Sequence, residues 1–166
     1  QVICGATGSA KSRLLAALAA QGEQVLDLEG IARHRGSVLG GVPGEPQPSQ
    51  KWFETQVWHK LRRMDASRPV WVEAESRKIG VLQVPTTLLL HMRASPCLRL
   101  EAPLDERVQF LLGDYAHMLR DPLYLRSMTR SYPTLDESPV VRPQSLSPEA
   151  ITALAAELRQ RSFSRT

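Results

Sequence analysis

GATGSAKS, residues 5–12, is the most informative stretch of this 166-residue chain. It follows a short apolar run, Val2-Ile3-Cys4, and precedes an Ala/Leu-rich segment that stops at Gly22. It matches the phosphate-loop pattern G-x-x-x-x-G-K-S/T at every position except Ala10, where the pattern has glycine. The order strand, glycine-containing loop, helix therefore predicts a P-loop.

The chemistry of such a loop explains which residue types it needs. Glycines let successive backbone N–H groups point at phosphate oxygens, and the following helix N-terminus favours an anion. Lys11 would reach the terminal phosphate, and the Ser12 hydroxyl would ligate Mg²⁺. Ala10 should be tolerated if its φ is negative, although its methyl group narrows the loop. The predicted phosphate-binding residues are Gly5, Thr7, Gly8, Ser9, Ala10, Lys11 and Ser12.

The rest of the chain alternates short apolar runs with helical patterns, which is typical of βαβ units. Four unbroken runs predict central strands, and five segments have helical apolar spacing or helix start signals. The sequence therefore predicts an α/β, P-loop NTPase-like fold with a doubly wound, mainly parallel sheet flanked by helices. The strands are expected over 1–4, 24–28, 69–73 and 97–101, and the helices from residues 11, 49, 85, 105 and 147.

Two proline- and glycine-rich stretches interrupt this alternation. Residues 40–48 predict a loop, and residues 132–148, with four prolines, predict an irregular crossing. We therefore expect a P-loop domain over 1–131, with the crossing and a C-terminal helix, 132–166, packed on the same domain.

Composition sets limits on the class of protein. No apolar run approaches the roughly 18 residues of a membrane helix, and no secretory signal precedes the first strand, so a cytoplasmic location is expected. Cys4 and Cys97 lie in apolar runs and lack metal-ligand spacing, which favours buried free thiols. The net charge is +4, and only four of the 21 cationic side chains are lysines. This arginine-weighted surface is compatible with a nucleic-acid partner, because guanidinium groups suit phosphates.

Acidic residues follow two predicted strands. Asp27 and Glu29 end the second run, and Glu73 and Glu75 end the third. Ligands bind at the carboxyl ends of strands in doubly wound sheets, so both pairs would face the phosphate site. There they could orient Mg²⁺ or accept a proton, with Glu73 and Glu75 as catalytic candidates. Solvated acidic residues at strand ends are an equal alternative for Glu73 and Glu75.

Polar and aromatic residues near these strand ends add further candidates. A basic loop and the residues after Glu75 could contact a substrate or RNA phosphates, although an ordinary surface loop would look much the same. Of the three tryptophans, Trp52, Trp58 and Trp71, two lie on or near an amphipathic helix, which favours core packing over base stacking. The candidates for contact with substrate or tRNA are Asp27, Glu29, Arg33, His34, Arg35, Gly36, Ser37, Ser76 and Arg77.

Five ordered motifs, taken together, resemble the C-terminal P-loop domain of the tRNA 2-selenouridine synthases. They are GATGSAKS, VLDLEGIARHRGSVLG (25–40), PSQKWFE (48–54), PVWVEAESRKIG (69–80) and ERVQFLLGDY (106–115), and DPLYLRSM (121–128) is similar to a later part of the family. The resemblance implies work on the wobble uridine of bacterial tRNA. It implies S-geranylation of 2-thiouridine by geranyl diphosphate, then replacement by selenium from selenophosphate.

The resemblance also implies a second domain and marks two departures. The family carries an N-terminal rhodanese-like domain with a catalytic cysteine, and no such domain precedes Gln1, so this chain alone should lack selenium transfer. Ala10 replaces a glycine, and Ala74 stands where the family motif has an acidic residue; both changes could weaken phosphate or metal binding. Between Arg120 and Leu123 the chain is shorter than the family pattern, which has more helical sequence there. This would fit either a natural short form or a chain with a segment missing.

Two other functions remain open from the residues. A small P-loop kinase or NTPase would share the loop, but the third strand ends in Glu73 where a Walker B aspartate is expected. A non-catalytic tRNA-binding module would bind RNA in a salt-dependent way and ignore geranyl diphosphate.

Overall fold

A computed structural model describes residues 1–35, 46–114, 140–143 and 145–163. In chain order its elements are β1 (Val2–Cys4), α1 (Lys11–Ala20), β2 (Gln24–Leu26), α2 (Leu28–Ala32), α3 (Gln50–Arg62), β3 (Val70–Glu73), β4 (Lys78–Ile79), β5 (Leu82–Gln83), α4 (Thr86–Ala94), β6 (Cys97–Leu100), α5 (Leu104–Asp114), β7 (Val140–Val141) and α6 (Pro148–Phe163).

Five of the strands form one sheet in the order β2-β3-β1-β6-β7, and each neighbouring pair is parallel. β4 and β5 form a separate antiparallel hairpin. β1 lies in the centre of the sheet, with β3 and β2 on one side and β6 and β7 on the other. The order of the strands therefore reverses direction beside β1. The loop after β1 therefore lies at the point where such sheets bind ligands.

Helices cover both faces of this sheet. Val2 and Val72 point into one apolar cluster with α2, α3 and α4, whereas Ile3 and Trp71 point into the other with α1 and α6. Neighbouring strand residues alternate between the faces, as a pleated strand requires. The predicted α/β, P-loop NTPase-like fold is confirmed, and no helix in the described ranges is long and apolar enough to span a membrane.

Several predicted boundaries need correction. The four predicted strands are present but each is one or two residues shorter, and Asp27 and Leu28 leave the second strand to begin α2. The stretch 132–148 was expected to be irregular, yet Val140 and Val141 pair with Arg99 and Leu100 at the sheet edge. α6 packs on α1, with Gln21 Nε2 donating to the Thr152 carbonyl at 3.0 Å. The 1–131 and 132–166 division stays a prediction, and the part of the expected fifth helix beyond residue 114 lies outside the described residues.

Candidate functional site

The loop between β1 and α1 is packed too closely for side chains at its glycines. A Cβ on Gly5 would lie 2.4 Å from the Leu100 carbonyl oxygen. Gly8 has φ +82°, and a Cβ there would lie 2.9 Å from the Arg107 carbonyl oxygen. The glycines therefore let the loop sit directly on β6 and α5.

Ala10 has a left-handed backbone conformation, with φ 63° and ψ 28°. A negative φ was the condition under which an alanine should be tolerated at this position, and the structure does not meet it. The chain turns from the loop into α1 at this residue, and the turn needs a left-handed residue, which a glycine would supply without strain. An alanine here costs about 1–2 kcal/mol of backbone strain. Its methyl group is buried against α1 and β1.

Lys11 lies across the mouth of the loop. Its ammonium donates to the carbonyl oxygens of Gly5 at 3.0 Å and Ala6 at 3.3 Å. It also lies 3.3 Å from Glu73 Oε1, and the two side chains are only 13% and 11% exposed. The cation is thus held between the loop backbone and the end of β3.

Two carboxylates meet at Ser12, and a third lies close to both of them. The Ser12 hydroxyl lies 3.0 Å from Glu73 Oε2 and 3.3 Å from Glu29 Oε2. Having one proton, it donates to one of them at a time. Glu29, Glu73 and Glu75 each offer an oxygen within 4.8 Å of the others. We call these three residues the carboxylate cluster.

Burial and repulsion between neighbouring carboxylates raise the pKa values of Glu29 and Glu75. Desolvation, followed by the charge of Glu73, raises the pKa of Glu29 from 4.5 to about 8. Desolvation, followed by the charges of Glu29 and Glu73, raises the pKa of Glu75 from 4.5 to about 9. Near neutral pH these two carboxyl groups are therefore largely protonated. A divalent cation could take the place of those protons, because carboxylate and hydroxyl oxygens are the ligands that Mg²⁺ prefers.

Asp27 does not join the carboxylate cluster. Its side chain caps α2 by accepting from the Gly30 N–H at 2.8 Å. The structure therefore places three of the four predicted acidic residues together beside the loop, and Asp27 apart from them. Asp27 was misassigned because the chain becomes helical immediately after β2, and an aspartate is a favoured residue before a helix.

The other contact candidates spread away from the loop. Arg33 ends α2 and stacks 5.7 Å above the Trp52 ring. His34 packs near Gly80, and desolvation lowers its pKa. Ser76 donates to the Lys78 carbonyl in the turn before β4, and Arg77 accepts from Val84 N–H through its carbonyl. Arg35 is exposed, and Gly36 and Ser37 lie outside the described residues.

The tryptophans only partly follow the expected core packing. Trp71 is buried and lies 3.4 Å from Glu23, to which its indole N–H donates. Trp52 and Trp58 are 41% and 53% exposed, so core packing was wrong for both. Cys4 and Cys97 are free thiols, half-buried rather than fully buried, and burial raises the pKa of Cys4 to about 12.

One contact to the loop could not be identified from the sequence. Arg107 on α5 donates from Nε to the Thr7 carbonyl at 2.9 Å. Arg13, in the first turn of α1, stacks 4.4 Å from the centroid of the Phe110 ring on the same α5. Arg107 and Thr7 are 100 positions apart in sequence, and no local motif identifies either contact. α5 therefore contacts both the loop and the first turn of α1.

Comparison with known proteins gives a consistent result. A family model described as "tRNA 2-selenouridine synthase AAA domain" matches residues 1–132. The tRNA 2-selenouridine synthase of Nitrosomonas eutropha is 41% identical over 69% of this chain and 30% of its own length. That of Cupriavidus necator is 45% identical over 71% and 31%. This chain thus spans about a third of those proteins. A gluconokinase from Sinorhizobium meliloti superposes with TM-score 0.46 and 16% identity, covering 99% of this chain and 95% of that one.

Proposed function

Since the chain belongs to the tRNA 2-selenouridine synthase family, we propose that it is the phosphate-binding domain of an enzyme that modifies the wobble uridine of tRNA. The observation that carries the proposal is the meeting of Lys11, Ser12 and the carboxylate cluster at the carboxyl ends of the parallel strands. Geranyl diphosphate is the phosphate-bearing substrate that we propose for this site. Selenium transfer from selenophosphate would belong to a rhodanese-like domain and is not proposed for these residues.

The loop is suited to a diphosphate for three reasons. The N-terminus of α1 favours an anion, and the loop N–H groups are natural donors to phosphate oxygens. Lys11 already lies over the loop, where an anion would replace neutral carbonyl oxygens as its partner. The buried Ser9 hydroxyl has no hydrogen-bond partner within the described ranges and is available as a further donor.

These groups would act on the leaving group of the transfer. The sulfur of 2-thiouridine would form a bond to C1 of the geranyl chain while the C1–O bond to the diphosphate breaks. The diphosphate leaves with the bonding electrons, and the base loses its N3 proton. Lys11 and the loop amides would stabilise the charge that develops on the diphosphate. Of the two catalytic candidates, Glu73 is the proposed acceptor for the proton, and Glu75 could accept it only in the deprotonated form that a bound cation would favour.

The carboxylate cluster fits a Mg²⁺ ion by the chemistry of its donors. Ser12, Glu29, Glu73 and Glu75 supply only oxygen atoms. The pKa values of Glu29 and Glu75 are raised first by burial and then by neighbouring carboxylate charge, and a cation would neutralise that charge. When bound, the ion would neutralise charge on the diphosphate. Ser12 and Glu73 would hold it next to the Lys11 ammonium.

Calorimetric titration with geranyl diphosphate plus Mg²⁺, beside ATP plus Mg²⁺, tests the proposal. We expect binding of the prenyl diphosphate, its loss in Lys11→Ala, and its retention in Lys78→Ala, which removes an exposed lysine from the hairpin. Binding of tRNA should survive Lys11→Ala. Preference for ATP with turnover would favour a kinase or NTPase, and tRNA binding without any diphosphate binding would favour a non-catalytic RNA-binding module.

A further inference from the structure

The outer face of α3 exposes two tryptophans that the site does not use. Trp52 and Trp58 are 41% and 53% exposed, whereas Phe53 and Val57 on the opposite side of α3 are buried in the core. Large exposed aromatic rings are unfavourable in water unless something covers them. This face is therefore a candidate interaction surface.

An arginine side chain stacks on each of the two indole rings. Arg62 stacks 5.0 Å from the Trp58 ring centroid, and His59 meets the same ring edge-to-face at 4.9 Å. Arg33 stacks 5.7 Å from Trp52. Guanidinium groups and indole rings are among the planar groups on which nucleobases stack.

The charge of the face is strongly positive. The exposed cationic and histidine side chains of α3 and the residue after it outnumber its one acidic residue, Glu54, which accepts a hydrogen bond from Gln50. A phosphate backbone matches such a surface, whereas the buried centre of a protein–protein interface is depleted in lysine. The basic residues are Lys51, His59, Lys60, Arg62 and Arg63.

The two tryptophans lie about 120° apart around the axis of α3, on either side of the direction that faces away from Phe53 and Val57. Six residues of helix separate them, which corresponds to about 9 Å along the axis. Trp52 lies at the end of α3 nearest to α2, which carries Glu29, and is linked to α2 through Arg33. A strand that crossed Trp58 and then Trp52 would run toward the proposed donor site.

We propose that this face of α3 binds unpaired nucleotides of RNA, with bases stacking on Trp58 and Trp52 and phosphates contacting Lys51, Lys60, Arg62 and Arg63. The inference rests on the proposed tRNA substrate and identifies which part of that RNA this domain recognises. Unpaired nucleotides are required because bases inside a duplex cannot stack on a side chain. The loop of a tRNA arm presents such nucleotides, and a blunt duplex does not.

Fluorescence anisotropy with two labelled RNAs tests this surface. The RNAs are an anticodon stem-loop and a blunt RNA duplex of matched length. We expect Trp58→Ala to weaken stem-loop binding roughly tenfold and Trp58→Phe to restore most of it. Duplex binding should change little in both variants. Because Trp58 is exposed, both should keep the wild-type circular dichroism spectrum.

Charge removal provides an independent measurement on the same face. Arg62→Ala should reduce the slope of log K against log salt by about one for the stem-loop. Arg161→Ala, which removes an exposed arginine from α6 on the other face of the sheet, is the matched control and should reduce the slope less.

The outcomes separate this inference from the proposed function. Unchanged stem-loop binding in Trp58→Ala, or no RNA binding by the chain, overturns the inference and points to a protein partner for this face. Geranyl diphosphate binding should be the same in Trp58→Ala and wild type. Loss of RNA binding in that variant supports the surface even if the prenyl donor proves not to bind.

Discussion

The ion pair between Lys11 and Glu73 can be measured by a double-mutant cycle of Lys11→Met, Glu73→Gln and the combined variant. The two charged atoms are 3.3 Å apart, and both side chains are largely buried. At an effective dielectric constant of 20, this separation corresponds to a gross attraction of about 5 kcal/mol. Desolvation of both groups offsets part of that, so we expect a coupling energy of about 2 kcal/mol. The amide introduced by Glu73→Gln keeps an oxygen that can accept from Ser12, so the cycle isolates the charge pair.

Urea unfolding at pH 7 in Mg²⁺-free buffer, followed by circular dichroism, gives the four free energies of unfolding. Lys11→Met alone should be clearly destabilising, because it leaves Glu73 beside two other carboxyl groups with no cation. The exposed pair Arg161 and Glu157 on α6 is the control cycle and should give about 0.3–0.5 kcal/mol. If the Lys11 and Glu73 effects add to within about 0.5 kcal/mol, the pair does not hold the loop and the reasoning is refuted.

Two further predictions concern the same site. In Mg²⁺-free buffer the chain should lose stability as pH rises from about 5 toward 9, because folded Glu29 and Glu75, with pKa values of about 8 and about 9, keep protons that the unfolded chain has released. Thermal unfolding across this range should show a shallower decline for Glu75→Gln, and an equal decline would contradict the raised pKa. Ala10→Gly should be close to neutral, because relief of about 1–2 kcal/mol of strain offsets the lost methyl group and the added chain entropy. Ala16→Gly, inside α1, should cost about 1 kcal/mol, and equal losses in both variants would rule out strain at Ala10.

The sheet and the loop were predictable because each depends on neighbouring residues. Short apolar runs identify buried parallel strands, and the residues from Gly5 to Ser12 carry the loop pattern in order. The convergence of Glu29, Glu73 and Glu75 followed from the rule that parallel strands end at one edge. That rule gives the edge and not the contacts of each side chain.

What the sequence left undetermined depends on contacts between distant residues. Asp27 is a strand-end carboxylate by position, and only the start of α2 turns it into a cap. β7 has two residues and forms because β6 offers a free edge. Trp58 lies on the amphipathic helix that was expected to pack, but it follows Val57 by one residue and so turns away from the narrow stripe that Phe53 and Val57 bury. The brace from Arg107 to Thr7 depends on where α5 lies.

The packing of α6 on α1 has a consequence for how the protein is made. Residues Ile151, Leu154, Ala155 and Leu158 complete the apolar layer that supports the P-loop helix. Gln21 and Thr152, which form an exposed hydrogen bond beside this layer, are 131 positions apart. Contacts over such a distance form late, because a long chain segment must first be closed. During synthesis the loop is therefore made long before α6, the helix that completes its support. We expect the chain to bind ligand only after α6 has been made.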